Sequence, residues 1–150
     1  MKLAEALTLR ADIQKRVMQI KSRLNVNAKV QEGEKPAESP DTLLKELDAL
    51  LAEMEELMVR INLTNAQTLT EGETITSLLA KRDCLTQKVG ILREFLLNAS
   101  STVMRGTRTE VKVLSTVPVP ELQKQVDKLS KELRETDTRI QALNWTTELL

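Results

Sequence analysis

The sequence predicts an all-α fold, an antiparallel and coiled-coil-like bundle of three to four long helices with one extended crossover segment. The first indication is that apolar residues recur at alternating steps of three and four, the pattern of helices that bury one face. The second is composition: the 150 residues include 22 basic and 22 acidic side chains but four Gly, one Trp and one Phe. Such a composition is typical of helical bundles. We expect one domain over residues 1–150.

Two helices are expected in the first half of the chain. The first covers residues 2–29, and Arg10 interrupts its apolar seam. Residues 31–40 concentrate Gly, Pro and charge, which predicts a flexible, solvated loop. A second helix then covers residues 40–67, with Ser39 as its expected cap. Its apolar stripe is wide enough to contact more than one neighbour. The stripe consists of Leu43, Leu44, Leu47, Leu50, Leu51, Met54, Leu57, Met58 and Ile61.

The second half predicts two more helices and a connector. A short turn at Gly72 precedes the third helix, which is expected over residues 75–103 and is interrupted by Arg82. Residues 106–119 are rich in β-branched side chains and predict an extended connector. This connector is long enough for either a corner or a full-length crossover. The fourth helix centres on residues 122–143, with one polar residue in its seam, Thr136.

Composition excludes several function classes. The chain has no histidine and a single cysteine, Cys84, so imidazole catalysis, histidine metal sites and internal disulfides are excluded. We therefore expect no catalytic residue, no metal, no cofactor and no enzymatic activity. The balanced charge argues against nucleic acid as a partner. The longest uncharged run has ten residues, about half of what a membrane span needs. Since no signal peptide is recognisable, a cytoplasmic location is expected.

A polar layer is the candidate site. In an up-down-up-down bundle, the beginning of helices one and three and the end of helices two and four share one end. The polar residues predicted there are Arg10, Arg82, Thr64, Asn65, Thr136, Asn144 and Trp145. Inward guanidinium groups must be neutralised. They either pair with Asp12, Asp83 or Asp137 and fix the helix register, or bind an anion that completes the layer.

Six strings spread over most of the chain resemble one known family. They are LRADIQKR at 9–16, NAKVQEGEKP at 27–36, RINLTNAQT at 60–68, LAKRD at 79–83, EVKVLSTV at 110–117 and DTRIQALNWTTEL at 137–149. The sequence is similar to a bacterial family of small uncharacterised helical proteins that is often labelled septicolysin. The label implies a cytolysin, but the resemblance brings no site residues. Pro118 departs from the family pattern, in which an acidic residue tends to precede the last helix.

Three functions follow as hypotheses. The first is a structural or interaction module that forms a homo-oligomer, a dimer or larger, through helix two and segment 107–119. The second is a membrane-active, cytolysin-like protein, as the label implies, which would insert amphipathic helices. The third is an oligomer that binds a small anion in the polar layer. Light scattering, dye release from liposomes and phosphate-dependent melting, respectively, discriminate between them.

Overall fold

The computed structural model describes residues 1–101 and 111–150, and within them it confirms the all-α class. The predicted ends of the third helix at Val103 and Gly106, and residues 106–110 of the connector, lie outside this range. Residues 111–118 form neither helix nor strand. The elements are α1 (Leu3–Val26), α2 (Pro40–Gln67), β1 (Leu69–Thr70), β2 (Glu73–Thr74), α3 (Ile75–Ser100) and α4 (Val119–Thr146).

The chain divides into two compact units. The first comprises residues 1–74 and 143–150, and the second residues 75–142. The expectation of a single domain stays a prediction. In both units, long helices pack in antiparallel pairs: α1 with α2, and α3 with α4.

One seven-residue row from each helix forms the core of the first unit. These two rows are at most 5 % exposed; they consist of Ala6, Ile13 and Ile20 on α1 and Leu43, Leu50 and Leu57 on α2. A second expected seam row on α1 is buried only at its first member: Leu3 is fully buried, whereas Val17 and Leu24 further along the helix are half-buried and lie at the edge of the pair. A helix that packs against a single neighbour buries a stripe of limited width. Val17 and Leu24, two of the six apolar residues predicted for the α1 seam, therefore lie at the boundary of the core rather than inside it.

A polar clasp closes the loop between α1 and α2. Asn27 is 7 % exposed; its side-chain nitrogen donates to the carbonyl of Arg23 (2.8 Å), and its oxygen accepts the backbone N–H of Glu38 (3.0 Å). The guanidinium of Arg23 forms an ion pair with the carboxylate of Glu38. The clasp thus fixes both ends of the loop. The predicted cap was wrong in one detail, since α2 begins at Pro40 without a side-chain hydrogen bond from Ser39.

The C-terminal residues pair with the N-terminal ones. Leu3 donates its N–H to the carbonyl of Thr147, and Leu149 donates to that of Met1, both at 2.9 Å. Lys2 and Glu148 form the antiparallel bridge between them, and their side chains form an ion pair. This pairing could not be predicted from the sequence, because two or three bonded residues carry no periodic pattern.

A tight hairpin connects α2 to α3. Leu69 pairs with Thr74 and Thr70 with Glu73. The two residues of the turn both have positive φ, 52° at Glu71 and 82° at Gly72. A two-residue turn of this handedness matches the twist of paired strands and favours glycine. The sequence predicted the turn at Gly72 but not the strand pair around it.

Two exposed carboxylates predict acid sensitivity. The Arg23 guanidinium hydrogen-bonds Glu38 and lowers its pKa below the ordinary value of 4.5. Lys2, and then the amino group of Met1, lower the pKa of Glu148 in the same way. A carboxylate with a depressed pKa stabilises the fold above its unfolded-state pKa, and this contribution is lost as the pH falls through the folded-state pKa.

We therefore expect the melting temperature to fall as the pH drops below about 4.5, where unfolded glutamate begins to bind protons. The variant carrying both Glu38→Gln and Glu148→Gln should show a shallower fall. Thermal melts by circular dichroism across the acidic range measure this slope, and added salt should reduce it because both carboxylates are exposed. Identical slopes for the variant and the native chain would contradict the assignment.

Candidate functional site

The seven residues predicted for the polar layer fall into two groups. Arg10, Thr64, Asn65, Asn144 and Trp145 belong to the first unit, and Arg82 and Thr136 to the second. The layer that would join them stays a prediction.

Thr64 is the most deeply placed of the seven. It is fully buried, and its hydroxyl donates to the carbonyl of Arg60 (2.8 Å) while accepting the backbone N–H of Leu150 (3.0 Å). The Nε of Arg60 in turn donates to the carbonyl of Leu150 (2.7 Å). Thr64 and Arg60 thus hold the last residue against α2. The hydrogen-bonding capacity of the Thr64 hydroxyl is used within the protein.

The neighbours of Thr64 differ in burial. The side-chain oxygen of Asn65 is buried and has no hydrogen-bond partner among the described residues, a situation that ordinarily costs about 1–3 kcal/mol. Asn144 is 9 % exposed, whereas Trp145 is 64 % exposed. The last turn of α4 therefore turns its asparagine inward and its tryptophan outward.

Arg10 does not point into the interior, contrary to the inward position expected from its place in the seam. It is exposed on α1. Beyond the fully buried Leu3, the heptad position of Arg10 lies at the edge of the α1–α2 pair, since Val17 and Leu24 are both half-buried. An arginine at an edge keeps its charge in water at little cost.

Arg82 is partly buried and paired with protein carboxylates. Its Nη2 lies 3.2 Å from Oδ1 of Asp83, and its Nη1 lies 3.8 Å from Oδ1 of Asp137. These contacts are the pairing alternative foreseen for this arginine. Thr136 is 6 % exposed, and its hydroxyl donates to the Glu132 carbonyl one turn earlier on α4 (2.8 Å). Both residues therefore have partners inside the second unit.

A cleft between α3 and α4 was not foreseen. The α3 and α4 backbones are more widely separated than those of α1 and α2, and a cavity of about 560 Å³ lies between them. It is lined by Arg93, Leu96, Leu97 and Ser100 of α3 and by Gln123, Val126, Asp127, Ser130 and Arg134 of α4. Each helix alone presents its arginine as an ordinary surface residue. One feature of the sequence points to the cleft: Ser130 is a small polar residue next to the apolar seam of α4.

The remaining candidates for chemistry are sparse. Cys84 is exposed on α3. Across residues 1–101 and 111–150, no group of three or more His, Cys, Asp and Glu side chains is arranged to hold a metal ion. In the same ranges, no helix combines the length and the apolarity that crossing a membrane requires.

Comparison with known proteins gives a family and a structural relative. The model of a family of unknown function, DUF6847, matches residues 10–149. A crystal structure described as that of a functionally unknown conserved protein from Corynebacterium diphtheriae is 40 % identical, with a TM-score of 0.88, over 100 % of this chain and 99 % of that one. No curated protein matches. The expected kinship with an uncharacterised helical family is thereby confirmed, whereas none of these descriptions carries the septicolysin label.

Proposed function

Since this chain belongs to the family of unknown function DUF6847, we propose its role from the features of its own surface. The protein is a non-enzymatic helical module that self-associates through α2 and through the connector that precedes α4. The occupant of this surface is a second copy of the chain. The observation that carries the proposal is an unused apolar row on α2.

The exposed row on α2 repeats every seven residues. Leu44, Leu51 and Met58 are 47 %, 41 % and 43 % exposed, and they lie on one side of the helix over about 21 Å. Half-buried Leu47 and Met54 broaden the row into a stripe. A seven-residue apolar repeat is the pattern by which one helix packs against another. α2 packs on α1 through a different row, Leu43, Leu50 and Leu57. The exposed stripe is therefore available to a partner.

The connector offers a second, shorter apolar surface. Val111, Val113 and Leu114 are 68 %, 53 % and 77 % exposed; they precede a bend at residues 116–117, and five residues span at most about 16 Å when extended. Lys112 lies among these side chains, whereas the α2 stripe is bordered by acidic Asp48 and Glu55. In a twofold dimer, α2 of each copy would contact the connector of the other, with complementary charges at the edge.

Light scattering coupled to size exclusion tests the proposal. We expect the native chain to show at least twice its mass of 16.9 kDa. Leu51→Glu and Leu114→Glu should each produce monomers, because a buried, unpaired carboxylate opposes association. Ala49→Glu is the matched control, since Ala49 is exposed on the opposite side of α2, and this variant should keep the native mass.

Two outcomes would overturn the proposal. One is a native chain that remains monomeric at the highest soluble concentration. The other is a loss of mass in Ala49→Glu equal to that in Leu51→Glu, which would indicate a general effect of added charge. Circular dichroism of each variant distinguishes dissociation from unfolding. We expect native helix content in every variant, because the substituted residues are exposed and the core between α1 and α2 stays intact.

A further inference from the structure

The cleft between α3 and α4 has the dimensions of a ligand site. Its volume of about 560 Å³ falls within the range of roughly 300–1,000 Å³ that is usual for small-molecule pockets. Its lining on α4 extends from Gln123 to Arg134, or about 16 Å along the helix. The cleft is thus elongated, and its two ends differ in chemistry.

One end of the cleft is positively charged and partly preorganised. Nη2 of Arg93 donates to the hydroxyl of Ser130 (3.0 Å), and Ser130 is 6 % exposed. Arg134 follows Ser130 by one turn of α4 and lines the same end. Because Ser130 fixes one guanidinium, less side-chain freedom is lost when an anion binds. The hydroxyl accepts from Arg93 and so keeps its own proton for a further acceptor.

The middle of the cleft combines apolar side chains with one carboxylate: Leu96, Leu97 and Val126 line it beside Asp127, which directly follows Val126. Leu97 is 71 % exposed and Leu96 is half-buried, whereas Val126 is 2 % exposed. An alkyl chain laid along Leu96 and Leu97 would remove apolar surface of both molecules from water. Inorganic phosphate would leave this part of the cleft unused. The cleft therefore suits a ligand with an anionic head and an apolar tail.

Asp127 fixes the direction in which such a ligand can bind. Its Oδ1 accepts a hydrogen bond from Nε2 of Gln123 (2.9 Å). Asp127 precedes Arg134 by seven residues, so the two charges are about 10 Å apart along α4. A carboxylate head is repelled by Asp127 and attracted by the two arginines. The arrangement permits one orientation, with the head at Arg93 and Arg134.

We propose that this cleft binds a free aliphatic monocarboxylate of medium chain length, with its carboxylate at Arg93 and Arg134 and its chain along Leu96, Leu97 and Val126. Guanidinium groups bind carboxylates through paired, charge-assisted hydrogen bonds. The inference does not depend on self-association, because α2 and the connector contribute nothing to the cleft lining.

Isothermal titration of the full chain with sodium decanoate tests this inference. We expect saturable binding of one decanoate per chain. Arg134→Gln should weaken it by roughly tenfold or more, the usual value of a hydrogen bond to a charged group. Lys131→Gln is the matched control: it removes the same charge from the same helix, but Lys131 is exposed and does not line the cleft. Its affinity should stay within about twofold of the native value, as for exposed charges.

Further probes separate the head from the tail. Decan-1-ol and inorganic phosphate should each bind more weakly than decanoate, and Leu97→Ser should lower decanoate affinity while its helix content stays native. Absence of saturable binding would overturn the proposal, as would equal affinities for Arg134→Gln and Lys131→Gln. Binding to anionic phospholipid vesicles with none to free decanoate would overturn it too, because the ligand would then be a lipid surface.

Discussion

Replacing Ile13 with alanine is expected to lower the free energy of unfolding by about 2–5 kcal/mol. Ile13 is fully buried in the middle of the α1 core row. The substitution removes apolar atoms from the contact with α2 and leaves a cavity. The two long helices could fill this cavity only by shifting along their whole length, because the core is closely packed. Urea unfolding followed by circular dichroism measures the change. All variants must be compared at one protein concentration, because self-association would raise apparent stability.

Val17→Ala provides the matched control on the same helix. Val17 lies in the edge row and is half-buried, so we expect a loss of about 1 kcal/mol or less. The two substitutions thus test the division of α1 into a core row and an edge row. Equal losses would show that Val17 is as well packed as Ile13, and the edge assignment would be wrong.

This division explains how much the sequence could predict. The repeat of three and four correctly predicted the helices, because it reports which residues share a face. It treated the two seam rows of α1 as equivalent, and so expected Arg10 to lie as deep as Ile13. Which row of α1 faces α2 depends on the rotation of α1 about its own axis. That rotation is set by packing against α2 rather than by the sequence of α1 alone. Arg10 is exposed for this reason.

The α3–α4 cleft could not be predicted for a similar reason, since it also depends on how two helices pack. Arg93 and Arg134 are more than forty residues apart in the sequence and each is exposed on its own helix. Only the antiparallel register of α3 and α4, visible in the Arg93–Ser130 hydrogen bond, brings them to one end of a cleft. Arg82 was predictable in part, since its Asp83 and Asp137 partners were among the carboxylates expected from the sequence.

Thr64→Val is expected to destabilise the fold by about 1–2 kcal/mol, although the two side chains have nearly the same shape. The substitution removes the hydroxyl that accepts the N–H of Leu150. The Arg60 carbonyl that the hydroxyl also contacts keeps its helical partner, because Arg60 and Thr64 are one turn apart on α2. Water can partly satisfy the N–H of Leu150, a residue that is 56 % exposed. The loss should therefore fall below the cost of a fully buried orphan group.

Thr42→Val on the same helix is the control, since Thr42 is exposed and its substitution should change stability by less than about 0.5 kcal/mol. Hydrogen exchange gives a second readout that is specific to the contact: the Leu150 amide should exchange faster in Thr64→Val and at the native rate in Thr42→Val. Repeating the unfolding experiment with phosphate separates the two roles considered for Thr64. If the residue holds Leu150, the loss is the same with and without phosphate. A stabilisation by phosphate that Thr64→Val abolishes would instead assign this threonine to an anion-binding layer.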